Sequence, residues 1–213
     1  MLAIELIKHA IIGFIMAFLG LLSPGFLTLT TLNTAIDRGS KETVKFAIGA
    51  ALPIFIQAHL ALLGAEYLKN HPEVIRSFSK IAIFVFLIAG LYFLKQYLSR
   101  HQPVIKKPLI DIRNSLVYGI IISLINPLAI PFYFTYSTLL EYQGILKLSE
   151  PYVSVFVLSA MLGVFTILRI YANHASKILG KIQILARNFK LVLSLTMFVL
   201  AMISFFAVIN LNK

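Results

Sequence analysis

The chain has 213 residues, of which 59% are hydrophobic and 13% charged, and its formal net charge is +11. Soluble domains carry about 45–50% apolar and about 25% charged residues, so this composition excludes a water-soluble globule and predicts a surface that faces lipid. The chain has no cysteine, which excludes disulfides and thiolate metal sites. Its basic residues lie in short segments between apolar runs, a pattern that indicates membrane topology and no nucleic-acid partner.

Six apolar stretches are long enough to cross a bilayer, because about 20 helical residues span a hydrocarbon layer of about 30 Å. A backbone in lipid must satisfy its own hydrogen bonds, so each stretch is predicted to be a helix. The predicted spans are residues 9–32, 43–68, 79–98, 115–140, 152–172 and 189–209.

The first predicted span is interrupted by Ser23-Pro24-Gly25, and the fourth is interrupted by Asn126-Pro127. A proline inside a helix removes one backbone donor and clashes with the preceding turn. The carbonyls that are freed at membrane depth need a wet cavity, a neighbouring helix or a ligand. A single kink often only shapes packing, but two breaks at corresponding places favour a substrate site.

The second span carries two polar residues near its middle, Gln57 and His59. Two residues apart on a helix, they are separated by about 200° and do not both face one cavity. His59 is a candidate proton carrier, with an interhelical hydrogen bond as the alternative. Thr28 and Tyr133, which follow the two breaks, are candidates to donate to a substrate carboxylate or to line a polar path. For Thr28 the alternative is a bond to a carbonyl of its own helix.

Residues 99–114 form the longest polar stretch and are predicted to be a cytoplasmic linker between two three-helix halves, 1–98 and 115–213. Each broken span is followed by a glycine, Gly39 in the first half and Gly144 in the second. Because three spans is an odd number, the second half enters the membrane from the opposite side. The predicted fold is therefore an all-α membrane domain of six transmembrane helices in two inverted repeats, a plan shared by many secondary transporters.

The distribution of charge predicts the orientation of the chain. Thirteen of the 19 Lys and Arg residues lie in the segments that follow the first, third and fifth spans. The more basic side is the cytoplasmic one, which places both termini outside a bacterial inner membrane.

The order of these motifs resembles that of the lysine exporter (LysE/RhtB) family of amino acid exporters. The resemblance covers nearly the whole chain and implies six helices and the export of amino acids. The residues that carry it are Ser23-Pro24-Gly25, Asp37-Arg38-Gly39, Gly49, Gly64 and Asn126-Pro127.

This sequence departs from the family pattern at two places. Phe26 stands where the family has a second proline, and Pro53 and Ile54 stand where it often has a Gly-Asp pair. An acid at membrane depth is the natural group for proton coupling or for binding a cation. The absence of this acid weakens what the resemblance implies about proton coupling and about the transport of cationic substrates such as lysine.

The sequence therefore predicts a secondary transporter that exports amino acids or related small zwitterionic metabolites, driven by the proton gradient. No G-x-x-x-x-G-K-[ST] loop and no cluster of catalytic side chains is present, so no ATP use, enzyme activity or cofactor is predicted. The alternatives are a membrane subunit that does not transport, or an exporter of another small solute or cation. The partners are the lipid bilayer and the substrate, and a homo-oligomer is left open. The candidate substrate-binding or gating residues are Ser23, Pro24, Gly25, Thr28, Gln57, His59, Asn126, Pro127 and Tyr133.

Overall fold

The computed structural model describes residues 2–22, 25–99, 112–126, 128–178, 191–192, 194–199, 201–202, 205–206 and 209. Within these residues every regular element is a helix, and no strand occurs. Residues 175–178 and the described residues after 191 are also helical. The six helices with complete bounds are α1 (Leu2–Gly20), α2 (Phe26–Asn70), α3 (Pro72–Leu98), α4 (Ser115–Leu124), α5 (Ala129–Tyr142) and α6 (Tyr152–Asn173).

Three of these helices are long and apolar enough to cross a membrane, namely α1, residues Phe26–Leu68 of α2, and α6. The pair α4 and α5, which meet at a bend of 57°, makes a fourth candidate span. The chain is therefore an all-helical protein with three to four candidate spans among its described residues. The predicted count of six stays a prediction, and most of the linker and part of the sixth stretch lie outside the described residues.

Helix α2 is divided by Gly39, whose backbone leaves helical geometry with φ 81° and ψ 173°. Forty-five residues of continuous helix would be about 68 Å long, roughly twice the thickness of the hydrocarbon layer. Gly39 thus separates a segment at 26–38 from a longer segment at 40–70. Gly144, which follows α5, also has a positive φ of 70°. L side chains rarely adopt this conformation, so glycine is the residue that fits both positions.

The chain forms two compact units. The first contains residues 1–66 and 105–181, and so includes both interrupted helices. The second contains residues 67–104 and 182–213. Within the second unit, the Ser194 hydroxyl donates a hydrogen bond of 2.9 Å to the carbonyl of Gly90.

In the first unit, α1 and α6 cross with their backbones in contact. A Cβ atom on Gly13 would overlap the carbonyl oxygen of Phe156. On the other helix, a Cβ on Gly163 of α6 would lie 2.5 Å from the carbonyl oxygen of Phe14 in α1. Small residues allow such close approach between membrane helices. The contacts advance in the same order along both helices, so α1 and α6 run parallel.

A second crossing in the same unit joins α4 to segment 40–70 of α2. A Cβ on Gly119 would overlap the carbonyl oxygen of Phe46, and a Cβ on Gly49 would overlap that of Leu116. Further along both helices, the Gln57 side chain meets the end of α4. These two helices therefore also run parallel.

Near the start of α1, the His9 side chain is fully buried and joins α1 to the segment before α6. Its Nε2 accepts a hydrogen bond of 2.9 Å from the backbone N–H of Lys147. Nδ1 is then the donor to the Glu5 carbonyl, 2.7 Å away. The Tyr152 ring packs against the imidazole at 4.9 Å.

Candidate functional site

The second break leaves two carbonyls at the end of α4 without their usual helical donors. The donor for the Ser123 carbonyl would come from residue 127, which is a proline and has no N–H. The donor for the Leu124 carbonyl would be the N–H of Leu128. That group donates instead to Oδ1 of Asn126, at 3.3 Å. The local sequence thus ends the helix and frees its last acceptors.

Gln57, from segment 40–70 of α2, supplies a replacement donor for these carbonyls. Its Nε2 donates to the Ser123 carbonyl at 3.0 Å and approaches the Leu124 carbonyl at 3.5 Å. The backbone N–H of Asn126 also reaches the Ser123 carbonyl, at 3.2 Å. Gln57 is only 5% exposed, so this bond satisfies the broken end of α4 away from bulk water.

Two polar atoms at this place have no hydrogen-bond partner among the described residues. They are Oε1 of Gln57 and the hydroxyl of Ser123, both buried. A buried polar group without a partner costs about 1–3 kcal/mol, and native structures contain few of them. The second break therefore presents unfilled hydrogen-bonding capacity inside the first unit.

Ser123 was not singled out from the sequence. Serine in a membrane helix usually bonds to a carbonyl of its own helix, so an isolated serine carries little information. The signal that would have found it is its position, three residues before Asn126 and thus on the turn that the break disrupts.

The first break is satisfied differently. The carbonyl of Leu22, which follows α1, accepts a hydrogen bond of 2.6 Å from the hydroxyl of Tyr171 on α6. At the start of α2, the Gly25 N–H donates to the Thr28 hydroxyl at 2.7 Å. The same hydroxyl lies 3.0 Å from the Gly25 carbonyl, so Thr28 binds the backbone of its own turn. Tyr171 was also missed from the sequence, where it resembled an ordinary aromatic residue near the end of a span.

The structure brings the two breaks close to each other. A Cβ on Gly20, the last residue of α1, would lie 2.6 Å from Cζ of Phe132 in the second turn of α5. The neighbouring Tyr133 is 3% exposed and packs its ring edge-on against Phe132, with 5.3 Å between centroids. Tyr133 also lies against Phe156 of α6, at 6.5 Å.

His59 makes different contacts from Gln57. It is partly buried, and its ring stacks on that of Phe55 with 6.0 Å between centroids. Its Nδ1 is buried and has no hydrogen-bond partner in the described part of the chain. The structure therefore does not bring His59 to the end of α4.

Three candidates, Ser23, Pro24 and Pro127, lie outside the described residues. The described residues contain no group of three or more His, Asp or Glu side chains that could hold a metal ion. What the described site offers is hydrogen bonding by neutral groups at two interrupted helices.

The apolar helices of the described residues, with two helix breaks close together, are typical of a membrane protein. The sequence of residues 18–210 matches the model of the LysE type translocator family. The chain belongs to this family, and the resemblance inferred from its motifs is confirmed. The members of this family are transporters of amino acids or related solutes. No curated protein and no solved structure matches the sequence.

Proposed function

We propose that this protein is a secondary transporter that exports amino acids or related small zwitterionic metabolites across the inner membrane, driven by the proton gradient. Family membership supports transport of this class of solute. The observation that carries the proposal is the broken end of α4, where Gln57 bonds to the freed carbonyl of Ser123 at 3.0 Å. Transporters built from inverted repeats bind substrate at such interrupted helices near the midplane.

The directions of the helices support five of the six proposed spans, and the sixth, residues 189–209, rests on the sequence. Helix α4 runs parallel to segment 40–70 of α2, so the chain has to return to its starting side between residues 70 and 112. The helix in that interval is α3. Helices α1 and α6 are also parallel, which requires an odd number of crossings between them. Both requirements are met if α1 with segment 26–38, and α4 with α5, each make one broken span.

The pairing of the helices supports the inverted repeat. One crossing joins the first helix of the first half to the second helix of the second half. The other joins the first helix of the second half to the second helix of the first. Exchanging the halves therefore exchanges the two crossings. In each of them, glycines oppose carbonyls, and a side chain of the second helix bonds the freed carbonyl of the first.

In this proposal the substrate lies between the two breaks, near Gly25, Thr28, Gln57, Asn126 and Tyr133. Ser23, Pro24 and Pro127 belong to the same site as sequence-based predictions. His59 remains a candidate proton carrier. The division into residues 1–98, 99–114 and 115–213, and the placement of both termini outside, also rest on the sequence.

The proposal is tested by loading dipeptides into bacteria that lack their own exporters and measuring each amino acid released. Cells that express this protein are expected to release particular amino acids faster than empty-vector cells. The variant Asn126→Ala is expected to lose this release because it removes the acceptor that draws the Leu128 N–H away from α4. The matched control is Asn173→Ala at the exposed end of α6.

If no amino acid leaves faster than from empty-vector cells, while the protein is present in the membrane fraction, the proposal is wrong for these substrates. The alternatives are then a membrane subunit that does not transport, or an exporter of another solute or cation.

A further inference from the structure

We propose that Oε1 of Gln57 and the hydroxyl of Ser123 form a subsite for a primary ammonium group. The inference rests on the proposed function for the identity of the ligand as a transported substrate. It adds the statement that the substrate presents its ammonium end, and not its carboxylate, to the end of α4.

The subsite is defined by two buried atoms that lie at one helix end. Gln57 is 5% exposed and Ser123 is 0% exposed, and neither Oε1 nor Oγ has a partner in the described part of the chain. The Gln57 amide nitrogen is 3.0 Å from the Ser123 carbonyl, so the two unpaired atoms belong to residues in direct contact. Leaving both unfilled costs free energy, which a ligand with hydrogen-bond donors would recover.

The polarity of the subsite selects the ligand. The donor side of the Gln57 amide is turned to the carbonyls of Ser123 and Leu124, which leaves its oxygen as an acceptor. The last turn of α4 carries the partial negative charge of a helix C-terminus, which favours a cation and disfavours an anion. An ammonium group has three donors and no acceptor, whereas a carboxylate has only acceptors.

The absence of charge on the two side chains suits a transported ligand. A hydrogen bond from an ammonium group to a neutral acceptor is strong enough to select a ligand without holding it tightly. Gln57 and Ser123 thus offer recognition of a substrate cation without a carboxylate beside them in the contacts that define the subsite.

The chain has no cysteine, so Ser123→Cys places a single thiol in the subsite. The purified protein in lipid nanodiscs is treated with aminoethyl methanethiosulfonate, which carries an ammonium group, and separately with sulfonatoethyl methanethiosulfonate, which carries an anion. Both rates are normalised to those of Ser99→Cys, an exposed position at the end of α3. The matched buried control is Ser137→Cys, at a serine that is 0% exposed and whose hydroxyl bonds to the Phe134 carbonyl at 3.1 Å.

We expect the normalised ratio of cationic to anionic labelling at Cys-substituted position 123 to be about tenfold or higher, and labelling of the Ser137→Cys chain to be slow with both reagents. Alanine and ethylamine are expected to slow the labelling, and propionate is not. Equal rates with both reagents, protection by propionate equal to that by alanine, or a thiol inaccessible to either reagent overturns the subsite.

If Ser123→Cys does not fold, Ser123→Ala gives a second measurement, since it removes only the hydroxyl. Ethylammonium chloride is expected to raise the thermal midpoint of the unsubstituted protein more than sodium acetate does at equal ionic strength, and Ser123→Ala is expected to abolish the difference. No difference in the unsubstituted protein overturns the proposal. Selective labelling without amino acid release keeps the subsite and rejects export, whereas release with unselective labelling keeps export and rejects the subsite.

Discussion

The two broken helices of the first unit have the same architecture and different chemistry. At the first break, the freed carbonyl of Leu22 is bonded by the hydroxyl of Tyr171. At the second, the freed carbonyl of Ser123 is bonded by the amide of Gln57, which still has an unfilled oxygen. A tyrosine hydroxyl has one hydrogen to donate, whereas a glutamine amide has two donors and a separate acceptor.

This difference separates the roles of the two halves. Tyr171 holds the end of α1 in place. Gln57 does the same for α4 and in addition presents an acceptor to a ligand. Both breaks interrupt a helix, but in the proposed site the specificity lies at the second one. Five substitutions test the comparison, from the largest expected loss of stability to the smallest.

Substitutions at the glycine crossings are expected to lower the stability of the first unit most. Gly49→Ala introduces a Cβ that would overlap the Leu116 carbonyl, and backbone on both sides leaves little room to adjust. We expect the free energy of unfolding in mixed micelles to fall by about 3 kcal/mol, the upper end for overpacking. The control is Gly64→Ala in the same helix, whose Cβ would make ordinary contact with Phe134 at 3.6 Å. Equal stability of the two variants would contradict the close crossing.

The two carbonyl bonds are expected to matter equally for stability and unequally for transport. Tyr171→Phe removes the donor to the Leu22 carbonyl, and Gln57→Leu leaves the Ser123 carbonyl with only the Asn126 N–H. Each change is expected to cost about 1–3 kcal/mol. Denaturation of both variants measures this cost. Release of amino acids is expected to fall more in Gln57→Leu, because only that change also removes the unfilled acceptor. A larger loss of release in Tyr171→Phe would reverse the assignment of roles.

The turns that follow the broken helices are expected to have a smaller effect. Gly144 has a φ of 70° and open space around it, so Gly144→Ala adds backbone strain without a clash. The expected cost is about 1 kcal/mol, the lower end for a left-handed residue with a Cβ. The neighbouring Gln143→Ala, at a φ of −79°, serves as control in the same thermal unfolding measurement. If Gly144→Ala costs no more stability than Gln143→Ala, the backbone of the turn has adjusted to remove the strain.

The smallest loss of stability is expected at the subsite itself. Ser123→Ala removes a buried hydroxyl that has no partner in the described residues, so the free energy of unfolding is expected to stay the same or to rise. Ser137→Ala removes a hydroxyl that is bonded and is expected to cost about 1 kcal/mol. Amino acid release is expected to fall in Ser123→Ala despite its intact stability. If Ser123→Ala is the less stable of the two, the Ser123 hydroxyl has a structural partner.

The sequence predicted the helical class and the two interruptions because both depend on local properties. Apolar length determines where helices form in lipid, and proline removes a donor wherever it stands. Gln57 was also identified, since it is polar in an otherwise apolar run. These features do not require knowledge of which helices are neighbours.

The partners of the broken ends could not be predicted in the same way. Tyr171 is 149 residues from Leu22 and meets it only because the crossing of α1 and α6 sets the register between them. Ser123 is distinguished from other serines in apolar helices by a buried hydroxyl that has no partner in the described residues. Both facts depend on helix pairing, which the pattern of apolar residues leaves undetermined because lipid and core favour the same side chains.

The glycine crossings determine which parts of the molecule can move as blocks. Each crossing ties a helix of one half to a helix of the other through backbone that has no free space. A motion that separated the halves of the sequence would have to open both crossings at once. The segments that follow the breaks, 26–38 and α5, are not part of either glycine crossing. Gly39 comes directly after the first segment and Gly144 two residues after α5, and both have a positive φ.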